Sequence, residues 1–275
     1  MQRMLRCLYV DLDGTLLGRG AALLRDADGN FSTAAVRALE ACHRAGVEVV
    51  IYTGRRETQV REDARLLGQT AYIFEAGSGL VVDGELEWLT GGLEPRDGLS
   101  IHDQITACGA PALLLERYPR ALEYHEPWHV NREVSHLFRG LVDAFEVDEL
   151  LRAAGHDHLR LVDNGTVHSR SAALADLPQV RAYHLVPRTA SKAAAVARHM
   201  QIRGYEPSEC IAVGDSREDL GAAAAVGTFW LVANALEKDP TIREALGDRR
   251  NVRVAEGRNG EGVYEAVVTT LAEGR

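Results

Sequence analysis

No stretch of this 275-residue chain approaches the run of about 18 apolar residues that a membrane-spanning helix needs. The opening residues lead directly into strand-like sequence, so a secretory signal is not expected either. Cysteine is scarce. Cys7, Cys42, Cys108 and Cys210 lie far apart with no CxxC spacing. That argues against a disulfide scaffold or a cysteine-built zinc site and for reduced thiols in a cytoplasm. Positive charge is in deficit as well: Lys+Arg 31 against Asp+Glu 40 gives −9. Such a surface repels nucleic acid and anionic lipid over most of its area, so neither is an expected partner and any basic site must be local. The remainder, 46% hydrophobic and 26% charged, is the balance of a globular protein with enough chain for one large domain or two ordinary ones.

Within that composition, strands and helices alternate. Leu8-Tyr-Val10 is a short apolar run that ends abruptly at Asp11-Leu-Asp13-Gly14-Thr15, a buried strand meeting a turn. Ser32 is placed to cap a helix carrying Val36, Leu39 and Cys42 on one face, with Gly46 past its end. Val47–Tyr52 reads as a strand that stops at Thr53-Gly54-Arg55, Thr58–Leu67 as a helix closed by Gly68, and Ala71–Glu75 as a third strand. This βαβαβ rhythm implies a parallel sheet covered on both faces. Leu80–Trp88 then reads as a hairpin turning at Asp83-Gly84.

From there to His184 the sequence is choppier, with several prolines and eight of the ten histidines. Strands are expected at Ala112–Leu115 and Leu159–Val162, and a helix over 143–154. The first rhythm returns after Pro187: a helix over 191–203, a strand at Cys210–Val213, a helix over 219–225, a strand at Thr228–Val232 and a closing helix over 263–271. The expected fold is therefore α/β: a doubly wound, mostly parallel Rossmann-like core sheet built from residues 1–85 and 186–275, with an inserted α/β cap domain over 86–185.

Three predicted strands finish in polar residues, Asp11/Asp13, Thr53 and Asp215. Ligands of open parallel sheets bind outside the carboxyl ends of the strands, so these residues could meet there. Asp11 and Asp13, two apart, would point the same way from an extended backbone, and Gly14 permits a turn. Two neighbouring carboxylates repel unless a cation intervenes, and a hard, oxygen-seeking Mg²⁺ both resolves that conflict and binds phosphate oxygens. An aspartate so placed could attack phosphorus and form an aspartyl-phosphate while its neighbour moves protons. Thr53-Gly54-Arg55 offers a hydroxyl, a close-approach backbone and a guanidinium, all suited to phosphate oxygens. Lys192 stands in the first turn of a predicted helix, where the macrodipole disfavours a cation; carboxylates or phosphate nearby would offset that. In Gly214-Asp215-Ser216-Arg217-Glu218-Asp219, Asp215 and Asp219 are four apart and could stack on one helix face.

Taken in order, these four segments resemble the motifs of the haloacid dehalogenase superfamily of phosphotransferases, and Asn234-Ala235 is similar to the pair that follows its last core strand. The insertion resembles the cap of subclass IIB, which includes Cof-type, glycosyl-3-phosphoglycerate and sucrose-phosphate phosphatases. The resemblance implies that Asp11 is the nucleophile and Asp13 the general acid/base, and that Thr53, Gly54, Arg55 and Lys192 bind phosphate. It further implies that Mg²⁺ rests on Asp11, Asp13 (through its carbonyl) and Asp215, with Asp219, Ser216 and Glu218 in support. Relatives often carry Asn in place of Glu218, and Glu-Asn-Gly where this chain has Glu75-Ala76-Gly77.

The implied partner is a small-molecule phosphate ester such as a sugar phosphate or glycosyl-3-phosphoglycerate; a homodimer is left open. A phosphomutase of similar architecture and a non-catalytic phosphometabolite-binding module are the alternatives. In the cap, His125, Trp128, His129, Arg132, His136 and Arg139 cluster, and His129, Arg132 and His136 could share a helical face that grips the leaving group. An ordinary solvated basic face with a packed Trp is the competing reading. Arg170 is a further candidate to reach down from the cap.

Overall fold

The structure, a computed structural model, describes residues 4–167 and 171–274. Its first part runs β1 (Cys7–Val10), α1 (Ala34–Ala45), β2 (Glu48–Tyr52), α2 (Glu57–Leu67), β3 (Ala71–Phe74), β4 (Gly79–Val82) and β5 (Glu85–Trp88). The middle part runs α3 (Ile101–Ala107), α4 (Ala110–Arg117), β6 (Leu122–Tyr124), β7 (His136–Gly140), α5 (Ala144–Ala153), β8 (Leu159–Thr166) and β9 (Arg181–Pro187). The last part runs α6 (Lys192–Arg203), β10 (Cys210–Gly214), α7 (Arg217–Leu220), β11 (Thr228–Leu231), α8 (Ala233–Lys238), α9 (Ile242–Leu246), β12 (Val252–Val254) and α10 (Asn259–Glu273).

Eight strands form one sheet in the order β12-β11-β10-β1-β2-β3-β4-β5, parallel from β12 to β3, with the antiparallel β4–β5 hairpin on the far edge. All four residues of β1 are buried, as a central parallel strand requires. Alternate residues feed two cores. Leu8 and Val10 pack with residues of α1, α2 and α10, whereas Cys7 and Tyr9 pack with Ala195, Val196 and Met200 of α6. The β4–β5 turn has Asp83 at φ 52° and Gly84 at φ 89°, the mirror-image turn that matches strand twist.

The middle part folds into a second, antiparallel sheet in the order β6-β7-β9-β8. One face packs Phe138, Leu159, Leu161, Tyr183 and Leu185 under α3, α4 and α5. The other face presents Leu137, Ala182 and His184 to a cavity above the carboxyl ends of the large sheet. This second sheet with its helices is the cap. The first sheet's β5 continues to Trp88, and the cap's β9 to Pro187.

The structure corrects several expectations. Ala112–Leu115 lies inside α4, not in a strand; Pro111 sits in that helix's first turn, where its missing N–H costs nothing, and the apolar run after it carries no period to tell helix from strand. Residues 126–134 form turns, and His136 opens β7, so His129, Arg132 and His136 share no helical face. Helix α1 starts after Thr33; Ser32 accepts from the Ala34 N–H at 3.2 Å, and Ala35, Ala38 and Cys42 form the buried face, with Val36 exposed. The helix expected over 219–225 starts earlier, as α7, and tightens into a 3₁₀ turn over Gly221–Ala224.

Candidate active site

The ends of β1, β2 and β10 and the start of α6 meet at one rim of the large sheet. Asp11 leaves β1 with its N–H donating to Val213 O at 3.1 Å. Gly14 then turns at φ 91°, and a Cβ there would lie 2.3 Å from Asp215 Oδ2, so only glycine lets the loop pass the carboxylate. Asn234 holds the loop from the other side, donating to Gly14 O at 2.8 Å and accepting from the Asn259 N–H at 2.8 Å. Thr53 is buried at the end of β2, its hydroxyl accepting from the Arg55 N–H at 3.2 Å.

Ser191 caps α6 through the Ala194 N–H, which puts Lys192 in the first helical position. Lys192 is 1% exposed, and its Nζ lies 3.0 Å from Asp11 Oδ1, 2.6 Å from Asp219 Oδ1 and 3.2 Å from Glu218 Oε2. It also stands 4.9 Å from the centre of the Tyr52 ring. Burial alone would discharge the amine, but Asp11, Asp219 and Glu218 outweigh it and raise its pKa well above the ordinary value. The penalty of a cation at a helix start is thus offset by three carboxylates. The surplus is negative, so Asp11 is held well above the usual carboxylate range, by burial first and then by its acidic neighbours against the pull of Lys192. Asp215 is raised for the same reasons, with Lys238 opposing.

Asp219 has no capacity to spare. Its Oδ1 is on Lys192, and its Oδ2 accepts from the Asp215 N–H, the Ser216 N–H and the Ser216 hydroxyl at 3.1, 3.0 and 2.7 Å. Ser216 completes a capping box with Asp219 at the start of α7. Glu218 is turned inward to Lys192, away from solvent.

Oxygens of Asp11, Asp215 and Asp219 lie within 4.8 Å of one another. Hard oxygen donors in that arrangement, with uncompensated negative charge, fit a small divalent cation. Asp11 and Asp215 are the ones with coordination to give.

Two placements differ from expectation. Arg55 lines the cavity but turns its guanidinium to two acids. It grips Asp13 with Nε at 2.7 Å and Nη2 at 2.6 Å, while Nη1 takes Asp63 at 2.7 Å. The fork geometry matches a carboxylate, and with two of them in reach the guanidinium is fully used. His129 stacks on Tyr124 with ring centres 5.0 Å apart and does not line the cavity. Arg132 does line it, and Arg170 lies outside the described residues.

Sequence reasoning missed Lys238, whose Nζ is 2.8 Å from Asp215 Oδ2. The chain has two lysines, and both point their amines into this cluster. That rarity in an arginine-rich sequence was the signal available. It also missed Glu75, which is fully buried and accepts the N–H groups of Glu133, Val134 and Ser135 at 2.9, 3.1 and 2.6 Å, tying a cap loop to the core. Above the cluster a cavity open on one side measures about 540 Å³.

Residues 8–90, which carry β1 with its acidic loop, Thr53 and Arg55, match the haloacid dehalogenase-like hydrolase family. Over that span the chain is similar to the haloacid dehalogenase superfamily. Its curated relatives include proteins named phosphoglycolate phosphatase. One from Methanothermobacter thermautotrophicus is 27% identical over 96% of this chain and 97% of its own length. Another, from Methanospirillum hungatei, is 24% identical over 85% and 86%. Among solved structures, a Thermoplasma acidophilum protein superimposes with a TM-score of 0.63 at 20% identity, covering 98% of this chain and 99% of that one. The sucrose-phosphatase of Synechocystis, solved with sucrose and phosphate, gives 0.61 at 18% identity, with 98% of each chain covered. The fold of these two neighbours, central sheet and second sheet together, therefore extends over 98% of the chain.

Proposed function

We propose that this chain is a Mg²⁺-dependent phosphatase that hydrolyses a small phosphorylated metabolite through an aspartyl-phosphate on Asp11. The observation that carries the reading is the floor of the cavity, where Asp11 and Asp215 face each other across a position flanked by Lys192. Asp11 is the nucleophile; its Oδ2 is free to attack phosphorus in line while Lys192 holds Oδ1. Lys192, the Thr53 hydroxyl and the Gly54 backbone meet the charge on the phosphoryl oxygens. Asp13, fixed by Arg55 in a half-exposed position, gives a proton to the leaving oxygen and later takes one from water. Asp11, Asp215 and the Asp13 carbonyl would hold Mg²⁺, which when bound supplies charge neutralisation and orientation of the phosphoryl group. Asp219 and Ser216 keep Lys192 and the Asp215 loop in register, and Glu218 adds to the field on Lys192. Substrate candidates are sugar phosphates and glycosyl-3-phosphoglycerates, and the curated relatives' names add phosphoglycolate.

The test is phosphate release from p-nitrophenyl phosphate, glucose 6-phosphate and phosphoglycolate, with and without Mg²⁺. Asp11→Asn should lower kcat by at least about a thousandfold with every ester, since it removes the attacking oxyanion. Chelator should do the same to the unaltered protein. Turnover that survives in Asp11→Asn, or that ignores chelator, would rule the reading out.

A further inference from the structure

The two lysines enter the acidic cluster in opposite ways. Lys192 is sealed in the interior among three carboxylates and the Tyr52 ring. Lys238 holds one carboxylate, Asp215, and its side chain is 34% exposed. Helix α8 explains the second placement. Asn234 and Lys238 are four residues apart on that helix and share a face of it. Asn234 ties the face to the acidic loop by donating to Gly14 O at 2.8 Å. One turn further on, the Lys238 amine donates to Asp215 Oδ2 at 2.8 Å, so close to the loop that a Cβ at Gly14 would lie 2.7 Å from Nζ. Among the described residues, the other Asp215 oxygen has only the Thr15 hydroxyl, at a long 3.5 Å.

Charge is all that keeps the Lys238 amine there. Among the described residues it makes no second hydrogen bond or ion pair. It also has somewhere to go. Lys238 lines a second cavity of about 130 Å³, between β8 of the cap and α7 and α9, which meets the large cavity along Asp13, Asp215 and Ser216. A water molecule takes about 30 Å³, so this space admits an ammonium group together with some of its hydration. The Thr166 hydroxyl in the same cavity has no hydrogen-bond partner among the described residues and can accept from an amine that has left Asp215.

We propose that Lys238 is an exchangeable counter-charge: it neutralises Asp215 while no divalent cation is bound, withdraws toward the second cavity when one binds, and so sets the affinity of the site for that cation. This rests on the metal site of the phosphatase reading above and does not depend on turnover. A divalent cation that takes Asp215 must either displace the amine or bear its repulsion at close range, and both lower the affinity. Lys192 cannot act in this way, because its three carboxylates and its burial hold it in place whether or not a cation is present.

The first measurement is calorimetric titration of Mg²⁺ into metal-free protein, with no ester present. Lys238→Met nearly keeps the length of the side chain and removes its charge, and the variant should bind Mg²⁺ at least about tenfold more tightly than the parent. Its melting temperature should lie below the parent's without metal and draw level at saturating Mg²⁺, since the cation replaces the missing charge. Lys238→Arg, which restores the charge, should bring the affinity back. The second measurement uses the unaltered protein: acetylation of Lys238 by an activated ester, followed by mass spectrometry, should become severalfold faster once Mg²⁺ saturates the site. Equal or weaker affinity in Lys238→Met, or acetylation that Mg²⁺ leaves unchanged or slows, would overturn the exchange. So would a failure of both proteins to bind Mg²⁺. Tighter binding by the variant together with no turnover of any ester would uphold the exchange and sink the phosphatase reading. Mg²⁺-dependent turnover with equal affinities would do the reverse.

Discussion

The two ends of the large parallel sheet are built from the same elements and hold opposite kinds of polar cluster. At the carboxyl end, β1, β10 and α6 bring three carboxylates onto Lys192, an arrangement with surplus negative charge. At the amino end, the in-register pairs Cys7–Cys210 and Cys7–Glu48 place two thiols and a carboxylate beside His199, two turns along α6 from Lys192. Here the polar groups answer one another: the Tyr9 hydroxyl bonds His199 Nδ1 at 2.8 Å, and Glu48 takes Arg203 and Tyr205 at 2.9 and 2.8 Å. Burial pushes Glu48 up, but His199 at 3.7 Å and the bonds from Tyr205 and Arg203 prevail and hold it at about 2. A cluster whose charges are satisfied contributes to stability, whereas one left short of a cation is prepared for a ligand.

Breaking each end should separate those roles. The largest effect belongs to Lys192→Met. Activity should fall on the order of a hundredfold or more, because a donor to the phosphoryl oxygens is lost. Stability should fall by about 3–5 kcal/mol, because buried carboxylates lose their only common partner. Urea unfolding in millimolar Mg²⁺ should recover part of the second loss and none of the first. A variant as stable as the parent without metal would show that the cluster is neutralised by other means.

Glu48→Gln is the next largest. Its folded pKa near 2 lies below the unfolded value of 4.5, so the carboxylate stabilises the fold above pH 4.5, and that contribution disappears as pH falls toward 2. The stability gap between parent and Glu48→Gln should be full at pH 7, close between pH 4.5 and 2, and leave turnover at neutral pH nearly unchanged. A gap independent of pH would assign the amino-end cluster to packing alone. The smallest effect is on thiol reactivity. Cys108 is exposed, while Cys7, Cys42 and Cys210 are buried and burial pushes the Cys42 thiol up to about 12. A thiol reagent at pH 8 should titrate one cysteine quickly and the other three only on unfolding; fast reaction at Cys7 or Cys210 would mean that the amino end opens.

The same contrast explains what could be read in advance. Asp11, Thr53 and Asp215 each lie where an apolar run stops, and Lys192 stands as a cation in the first turn of a helix, so local pattern and sheet geometry were enough to bring them together. Glu48, His199 and the two thiols carry no such mark, since their contacts depend on register between strands far apart in sequence. The pairing of Arg55 with Asp13 was hidden for a related reason: a tripeptide shows that a guanidinium is available, but which acid is in reach is a tertiary fact. In the cap, the turns at 126–134 set where Arg132 points, and no periodicity encodes them. Ala112–Leu115 failed differently, because a short apolar run fits strand or helix equally until Pro111 is given its positional meaning.

The confinement of lysine has a practical consequence. Lys192 is sealed in the interior and Lys238 is partly open beside Asp215. Ester-activated dyes, biotin reagents and coupling resins would therefore meet an accessible lysine amine only at the mouth of the acidic floor. Labelling through arginine, cysteine or an added tag would leave that mouth clear, and the kinetics of amine modification, slowed by a bound ester, would serve as a direct gauge of occupancy.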